Sequence, residues 1–151
     1  MKKIFLLILI SITIGAVNAQ ILNPVHWVYS AKKIDAKTYE IHITALVDDK
    51  WHIYSQDAGD GPVPTSFSFT TNPLLILDGK VKEVGTLEKI YDPNFKSELK
   101  YYEKQVDFVQ KVKVRSAAAT VIKGTVSFMV CNDRQCLPPK DIPFSIKLGG
   151  K

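Results

Sequence analysis

Cys131 and Cys136 are the only cysteines in the chain, and they lie in the segment Val130-Cys131-Asn132-Asp133-Arg134-Gln135-Cys136-Leu137-Pro138-Pro139. Fully extended, that spacing would separate them by about 16 Å, whereas a disulfide needs its Cα atoms roughly 4.4–6.8 Å apart. Pairing therefore requires the chain to fold back. Asn132-Asp133 suits such a reversal, because both side chains can bond nearby backbone groups. The closed loop would hold only six residues, for which the chain-entropy estimate is about 2 kcal/mol. That is little for a staple between distant parts of a fold, so redox work stands beside the structural role from the start. Arg134 would stabilise a neighbouring thiolate and Asp133 would oppose it. Pro138-Pro139 lacks two backbone donors and fixes φ, which should keep the segment after Cys136 out of a regular ladder and open to a docking partner.

The start of the chain sets the redox compartment. Lys2 and Lys3 precede an apolar stretch from Ile4 to Ile14, and Val17-Asn18-Ala19 supplies a small-residue cleavage site. The apolar run is short of the roughly 20 residues that span a bilayer. Residues 1–19 thus read as a signal peptide cleaved before Gln20, leaving residues 20–151 as one exported, periplasmic domain with no stable membrane insertion. Cysteines in an exported chain are more often oxidised than metal-bound. Loss of Lys2 and Lys3 lowers the formal charge from +5 to +3. The remaining lysines, Lys80, Lys82, Lys89, Lys111 and Lys113 among them, alternate along strand-like segments. No basic cluster or recognition motif supports nucleic-acid binding.

The elements that must position the cysteines are strands. Tyr39-Ile41-Ile43-Ala45-Val47 alternates with Glu40-His42-Thr44, the period-two signature of a strand with one buried face. Val25–Ile34, Trp51–Tyr54, Ser66–Thr70, Leu74–Leu77, Val81–Val84, Gln105–Val114, Thr120–Val130 and Asp141–Leu148 have similar composition, and no segment has a helical period. Eight or nine short antiparallel strands predict an all-β sandwich. Gly85–Lys104 reads as one long irregular loop, of a length that is often functional. It carries Tyr91-Asp92-Pro93-Asn94-Phe95, so Phe95 is either a lid or an anchor on the core.

Other candidate sites have plainer explanations. His26, His42 and His52 are dispersed, with His42 on the solvent side of its strand, and their spacing to the cysteines is not that of a zinc module. No metal or other cofactor is expected. Trp27 and Trp51 read as core fillers. Asp57-Ala58-Gly59-Asp60-Gly61 lacks the bidentate Glu of a calcium loop and reads as turn.

Val126–Pro139 with Ile142-Pro143-Phe144, Trp51-His52-Ile53-Tyr54, and the segment from Tyr91 to Glu103 together resemble the N-terminal periplasmic domain of the thiol:disulfide interchange protein DsbD, over roughly residues 22–148. The resemblance implies an immunoglobulin-like β-sandwich whose Cys131/Cys136 pair cycles between dithiol and disulfide. It would relay reducing equivalents from a thioredoxin-like donor to oxidised periplasmic thiol proteins, as a protein-disulfide reductase or exchange component. It also implies a cap loop, with Phe95 as the shielding aromatic and Asp92 beside it. His52 and Tyr54 fall where family members place aromatics next to the cysteines, His52 standing in place of a phenol. By position, Cys136 would bond the partner and Cys131 would resolve. Arg134, Pro138 and Pro139 flank the pair. Four residues separate the cysteines here, where the best-known members have five. The family's transmembrane conduit and thioredoxin-like domain do not follow in this sequence, which predicts a stand-alone version, or a piece of a longer chain, with electrons supplied by a separate protein. The competing reading is a non-catalytic immunoglobulin-like binding module with a structural disulfide.

Overall fold

A computed structural model describes residues 22–93 and 95–149; the expected signal peptide lies outside the described residues. Nine strands follow in order: β1 (Val25–Lys33), β2 (Thr38–Val47), β3 (Trp51–Tyr54), β4 (Ser66–Phe69), β5 (Leu75–Asp92), β6 (Ser97–Val114), β7 (Thr120–Phe128), β8 (Val130–Asn132) and β9 (Lys140–Leu148). They form two antiparallel sheets. One runs β1-β2-β6-β3-β8, with β5 also paired to β6, and the other runs β4-β7-β9.

Period-two alternation explains how the sheets face one another. Tyr39, Ile41, Ile43, Ala45 and Val47 of β2 point inward with Val106, Phe108, Val112 and Val114 of β6. They meet Ile122, Val126 and Phe128 of β7 and Phe144, Ile146 and Leu148 of β9. Each such large apolar side chain contributes about 1.5–3 kcal/mol by leaving water. Trp27 of β1 closes one side, its ring 5.2 Å from Phe128 and 6.1 Å from Phe108. Gly124 of β7 lies beneath Phe144, where an added Cβ would come within 2.5 Å of the ring and 2.4 Å of the Ser68 carbonyl. Only glycine lets β4 and β9 approach that closely. Gln110 is also buried on this face, its amide donating to the carbonyls of Lys111, Asp78 and Gly79.

The region expected as an irregular loop, Gly85–Lys104, is mostly strand. The expected strands Leu74–Leu77, from Leu75 on, and Val81–Val84 belong to one strand, β5, which pairs with β6 in a hairpin of two 18-residue arms. Register shifts between Asp78 and Lys82, and between Gly85 and Leu87, break the simple alternation that marks a strand in sequence. Lys104, at φ 60°, marks the second irregularity on the β6 side. There β6 also changes neighbour, pairing with β2 through Gln105 and with β3 from Glu103 to Tyr101. The expected strand Thr120–Val130 is divided at Met129, with β7 staying in the small sheet and β8 crossing to the large one.

Candidate redox site

Strand β8 places the cysteines. It runs antiparallel to β3, with Trp51 opposite Asn132, His52 opposite Cys131 and Ile53 opposite Val130. After Asn132 the chain reverses. The Asn132 side-chain carbonyl accepts hydrogen bonds from the Arg134 and Gln135 amides, both 2.9 Å, which fixes the turn. The Asn132 amide donates to the Gln135 carbonyl and the Leu137 amide to the Val130 carbonyl. Cys131 and Cys136 lie between those two hydrogen-bonded pairs, at the kind of cross-strand position where Cα atoms come closest. Their Cα atoms are 4.0 Å apart and the sulfurs are joined as a disulfide. Thus the bond is local, as the spacing predicted. Its two ends nevertheless differ: Cys131 is 2 % exposed, whereas Cys136 is on the surface.

The distal part of the large sheet has two apolar faces. Ile53, Tyr102 and Val130 point into the main core. Their neighbours Tyr54, Leu99 and Cys131 point to the other side, where they form a second, smaller cluster with Ala58, flanked by Tyr101 and Met129. The disulfide belongs to this cluster. Above it is a cleft of about 340 Å³, bounded by His52, Tyr54 and Tyr101 on its floor and by Ile90, Asp92 and Phe95 from the hairpin tip. The Phe95 amide donates to the Asp92 carboxylate at 3.3 Å. The Phe95 ring rests over Gly61, whose backbone has φ 121° and where a Cβ would approach the ring to 2.1 Å. The ring remains 43 % exposed.

Aromatic groups dominate the floor. The His52 ring is 4.4 Å from Tyr101 and 5.3 Å from Tyr54, edge-on to the latter, and its Nε2 is 3.4 Å from the Tyr54 hydroxyl. Burial lowers the His52 pKa below the usual imidazole range, with the Asp133 carboxylate opposing that shift. Tyr54 is pushed upward by burial, then by Asp92 and Tyr101. Tyr101 moves the same way, through burial and the acidic Glu103, Glu88 and Asp133. Both phenols therefore stay neutral well beyond neutral pH. Behind the cleft, the Glu83 carboxylate accepts hydrogen bonds from the Tyr102 hydroxyl, the Ser55 hydroxyl and the Gln56 amide, at 2.8, 2.9 and 2.6 Å. This network fastens the chain after β3 to β5.

Of the residues singled out from sequence, Cys131, Cys136, His52, Tyr54, Asp92 and Phe95 all border the cleft. Arg134, Pro138 and Pro139 do not: Arg134 is exposed at the turn and the prolines are exposed between Leu137 and β9. Asp133, not Arg134, faces the cleft. Leu99, Tyr101 and Ile90 were not foreseen. For Leu99 and Tyr101 the signal lies in Leu99-Lys100-Tyr101-Tyr102, where a strand places both on the face opposite Tyr102; Ile90 has no comparable signal. His42, expected to face solvent, is half-buried on the outer sheet face, its Nδ1 2.6 Å from Asp107, which also accepts from the Thr44 hydroxyl. Among the described residues, no three His, Cys, Asp or Glu side chains are grouped to hold a metal ion, and no helix is long and apolar enough to cross a membrane.

Fold and site together define an all-β sandwich with a cross-strand disulfide at one end, its outer sulfur open to an aromatic cleft. The chain belongs to the family of the N-terminal domain of the thiol:disulfide interchange protein DsbD, whose family model matches residues 18–147. No curated protein matches it in sequence. Among solved structures it is similar to the DsbD N-terminal domain of Neisseria meningitidis in the reduced form, at 17 % identity and a TM-score of 0.52, covering 82 % of this chain and 86 % of that one. The N-terminal periplasmic domain of ScsB from Proteus mirabilis gives 18 % identity and a TM-score of 0.54, covering 80 % of this chain but 44 % of that one. A complex between the DsbD and PilB N-terminal domains of Neisseria meningitidis gives 15 %, 0.50, and coverage of 79 % and 80 %. These likenesses establish the immunoglobulin-like fold.

Proposed function

We propose that the protein is a periplasmic thiol:disulfide relay in which Cys136 exchanges with partners and Cys131 resolves. The observation that carries this reading is the unequal exposure of the two cysteines: the surface position of Cys136 lets an incoming thiolate reach it, while Cys131 is buried in the second cluster beside β3. A donor thiolate attacks Cys136 Sγ, the bond to Cys131 breaks, and Cys131 leaves with the electron pair as a thiolate. The donor's second thiol then attacks its own mixed-disulfide sulfur, releasing Cys136 reduced. Two electrons and two protons have entered the pair and the donor holds a disulfide. On an oxidised acceptor the order is reversed: Cys136 attacks, and Cys131 displaces the reduced acceptor by re-forming the Cys131–Cys136 bond.

The donor in this reading is a thioredoxin-like protein and the acceptors are oxidised thiol proteins of the same compartment. The solved complex between two N-terminal domains supports partners of the thiol-protein kind. Phe95, held by Asp92 at the hairpin tip, is the cap that limits access until a partner displaces it. The test is trapping. With Cys131→Ala, Cys136 should retain partners as mixed disulfides, identifiable by mass spectrometry, whereas Cys136→Ala should trap none or far fewer. A pair that resists reduction below about −300 mV, with no adduct from either variant, would establish a structural disulfide instead.

A further inference from the structure

His52 occupies the residue position directly opposite Cys131 across the β3–β8 pairing, and it borders the cleft that holds both cysteines. Directly opposite residues on paired strands have Cβ atoms about 4.5–5.5 Å apart, which brings an imidazole within reach of the inner sulfur. The ring is held by Tyr101 and Tyr54. No other imidazole borders the cleft. The remaining titratable groups facing it are Lys50 just before β3, Tyr54 on β3, Tyr101 and Glu103 on β6, Asp92 at the hairpin tip, and Asp133 on the cysteine turn. Glu103 is the cross-strand partner of His52 on its other side. The phenols, raised by burial, stay protonated and are poor proton acceptors at neutral pH.

We propose that His52 is the proton-exchanging partner of Cys131: it accepts the Cys131 thiol proton as that sulfur attacks the mixed disulfide on Cys136, and returns it when Cys131 leaves as a thiolate in the opposite direction. The inference rests on the relay reading and deepens it. In the resolving step the Cys131 S–H bond breaks, its electron pair forms the Cys131–Cys136 bond, the partner sulfur departs as a thiolate, and the proton rests on the imidazole until it passes to the departing thiolate or to water. Charge and electrons balance with no further reactant. A half-buried imidazole whose pKa is lowered is in the neutral form this step requires, and Cys131 requires it more than Cys136 does, because burial raises a thiol pKa. An unperturbed thiol of pKa about 8.5 is about 3 % thiolate at pH 7, which leaves a local base a factor of roughly 30 to recover, and more where burial raises the thiol.

The experiment uses the reduced protein and oxidised glutathione, quenched in acid and alkylated, with the glutathionylated intermediate followed by mass spectrometry from pH 5 to 9. The wild-type protein should resolve its mixed disulfide rapidly, the rate falling in acid as His52 gains a proton. His52→Phe and His52→Tyr, which keep a ring in the stack, should accumulate the intermediate, resolve it about tenfold more slowly at pH 7, and differ progressively less from wild type as pH rises towards 9. That convergence would also show that the variants are folded. Resolution within twofold of wild type at every pH, or slowing by the same factor at every pH, would overturn the proton-exchange role while leaving the relay intact. A wild-type pair that oxidised glutathione fails to convert to the disulfide, together with no glutathione adduct on Cys131→Ala, would overturn the relay reading itself, and the inference with it.

Discussion

The two halves of the β5–β6 hairpin share two strands and one continuous arrangement of faces, yet they do different things. In the proximal half, alternate residues of β6, Val106, Phe108, Val112 and Val114, fill the main core, and the outer face carries Asp107, Lys111 and Lys113. Past the irregularity near Lys104, Tyr102 still points into the core, but the outer residues are Leu99 and Tyr101, against the disulfide. One face of one strand thus changes from solvated and charged to apolar and aromatic within a few residues. The change coincides with the exchange of neighbour from β2 to β3. The proximal half supplies the main core, and the distal half suspends Phe95 over the cleft from a smaller cluster of its own. A segment of that kind can move without unfolding the sandwich.

That contrast is broken most severely from the proximal side. Phe108 is fully buried and touches Trp27 and Phe67 through ring centroids 6.1 and 5.0 Å apart. Phe108→Ala should cost about 3–5 kcal/mol, seen as a lowered denaturant midpoint. The rate at which a small thiol reduces the disulfide, measured where the variant is still folded, should hardly change. If the reduction rate rose in proportion to the loss of stability, the two halves would open as one unit.

The disulfide tests the other half at intermediate cost. Replacing both cysteines by Ala removes a six-residue loop closure, worth about 2 kcal/mol. The β8 turn retains its Asn132 hydrogen bonds without it. The protein should therefore fold in both oxidation states, with a modest difference in denaturation midpoint between them. A reduced chain that fails to fold would make the pair a staple and not an exchangeable bond.

Much of the proximal half was legible in the sequence, because Tyr39-Ile41-Ile43-Ala45-Val47 and Val106-Phe108 alternate over enough residues to declare a buried face. The distal half was not legible as strand. Two register shifts, a left-handed Lys104 and apolar residues on both faces remove the alternation, so Gly85–Lys104 looked irregular. Asp92 and Phe95 stand out at the tip of the segment and do border the cleft, whereas Leu99 and Tyr101, which border it too, carry no such signal once the segment reads as loop. The cysteine turn was legible in Asn132-Asp133, of which Asn132 makes the turn hydrogen bonds. The unequal burial of Cys131 and Cys136 was not, because it depends on β3 lying across only one of them, a contact some 80 residues distant in sequence.

Phe95 and His52 carry the smaller effects. Phe95 is partly exposed and rests on Gly61, so Phe95→Ala should leave stability nearly unchanged while speeding reduction of the disulfide by a small thiol. A cap that is worth about 1 kcal/mol in its closed position corresponds to about fivefold in that rate. Stopped-flow reduction measures it, and an unchanged rate would mean that the ring covers Gly61 but not the sulfurs.

The smallest effect is the acid limb of stability. His52 in the folded protein has its pKa lowered by burial, with Asp133 opposing. Between that lowered value and the unfolded value of about 6.5 the unfolded chain binds more protons than the folded one. Stability contributed by the neutral ring is therefore fully present above the unfolded pKa and is lost as pH falls through the folded one. His52→Phe removes that proton uptake, so its stability should decline less steeply than that of wild type below about pH 6.5. Denaturant midpoints of the two proteins, measured in parallel from pH 7.5 to 4.5, isolate the contribution, because every other titrating group is common to both. A steeper acid limb in the variant would mean that His52 is stabilised as the cation by Asp133, and that the distal cleft holds a charged pair where the burial of the ring calls for a neutral one.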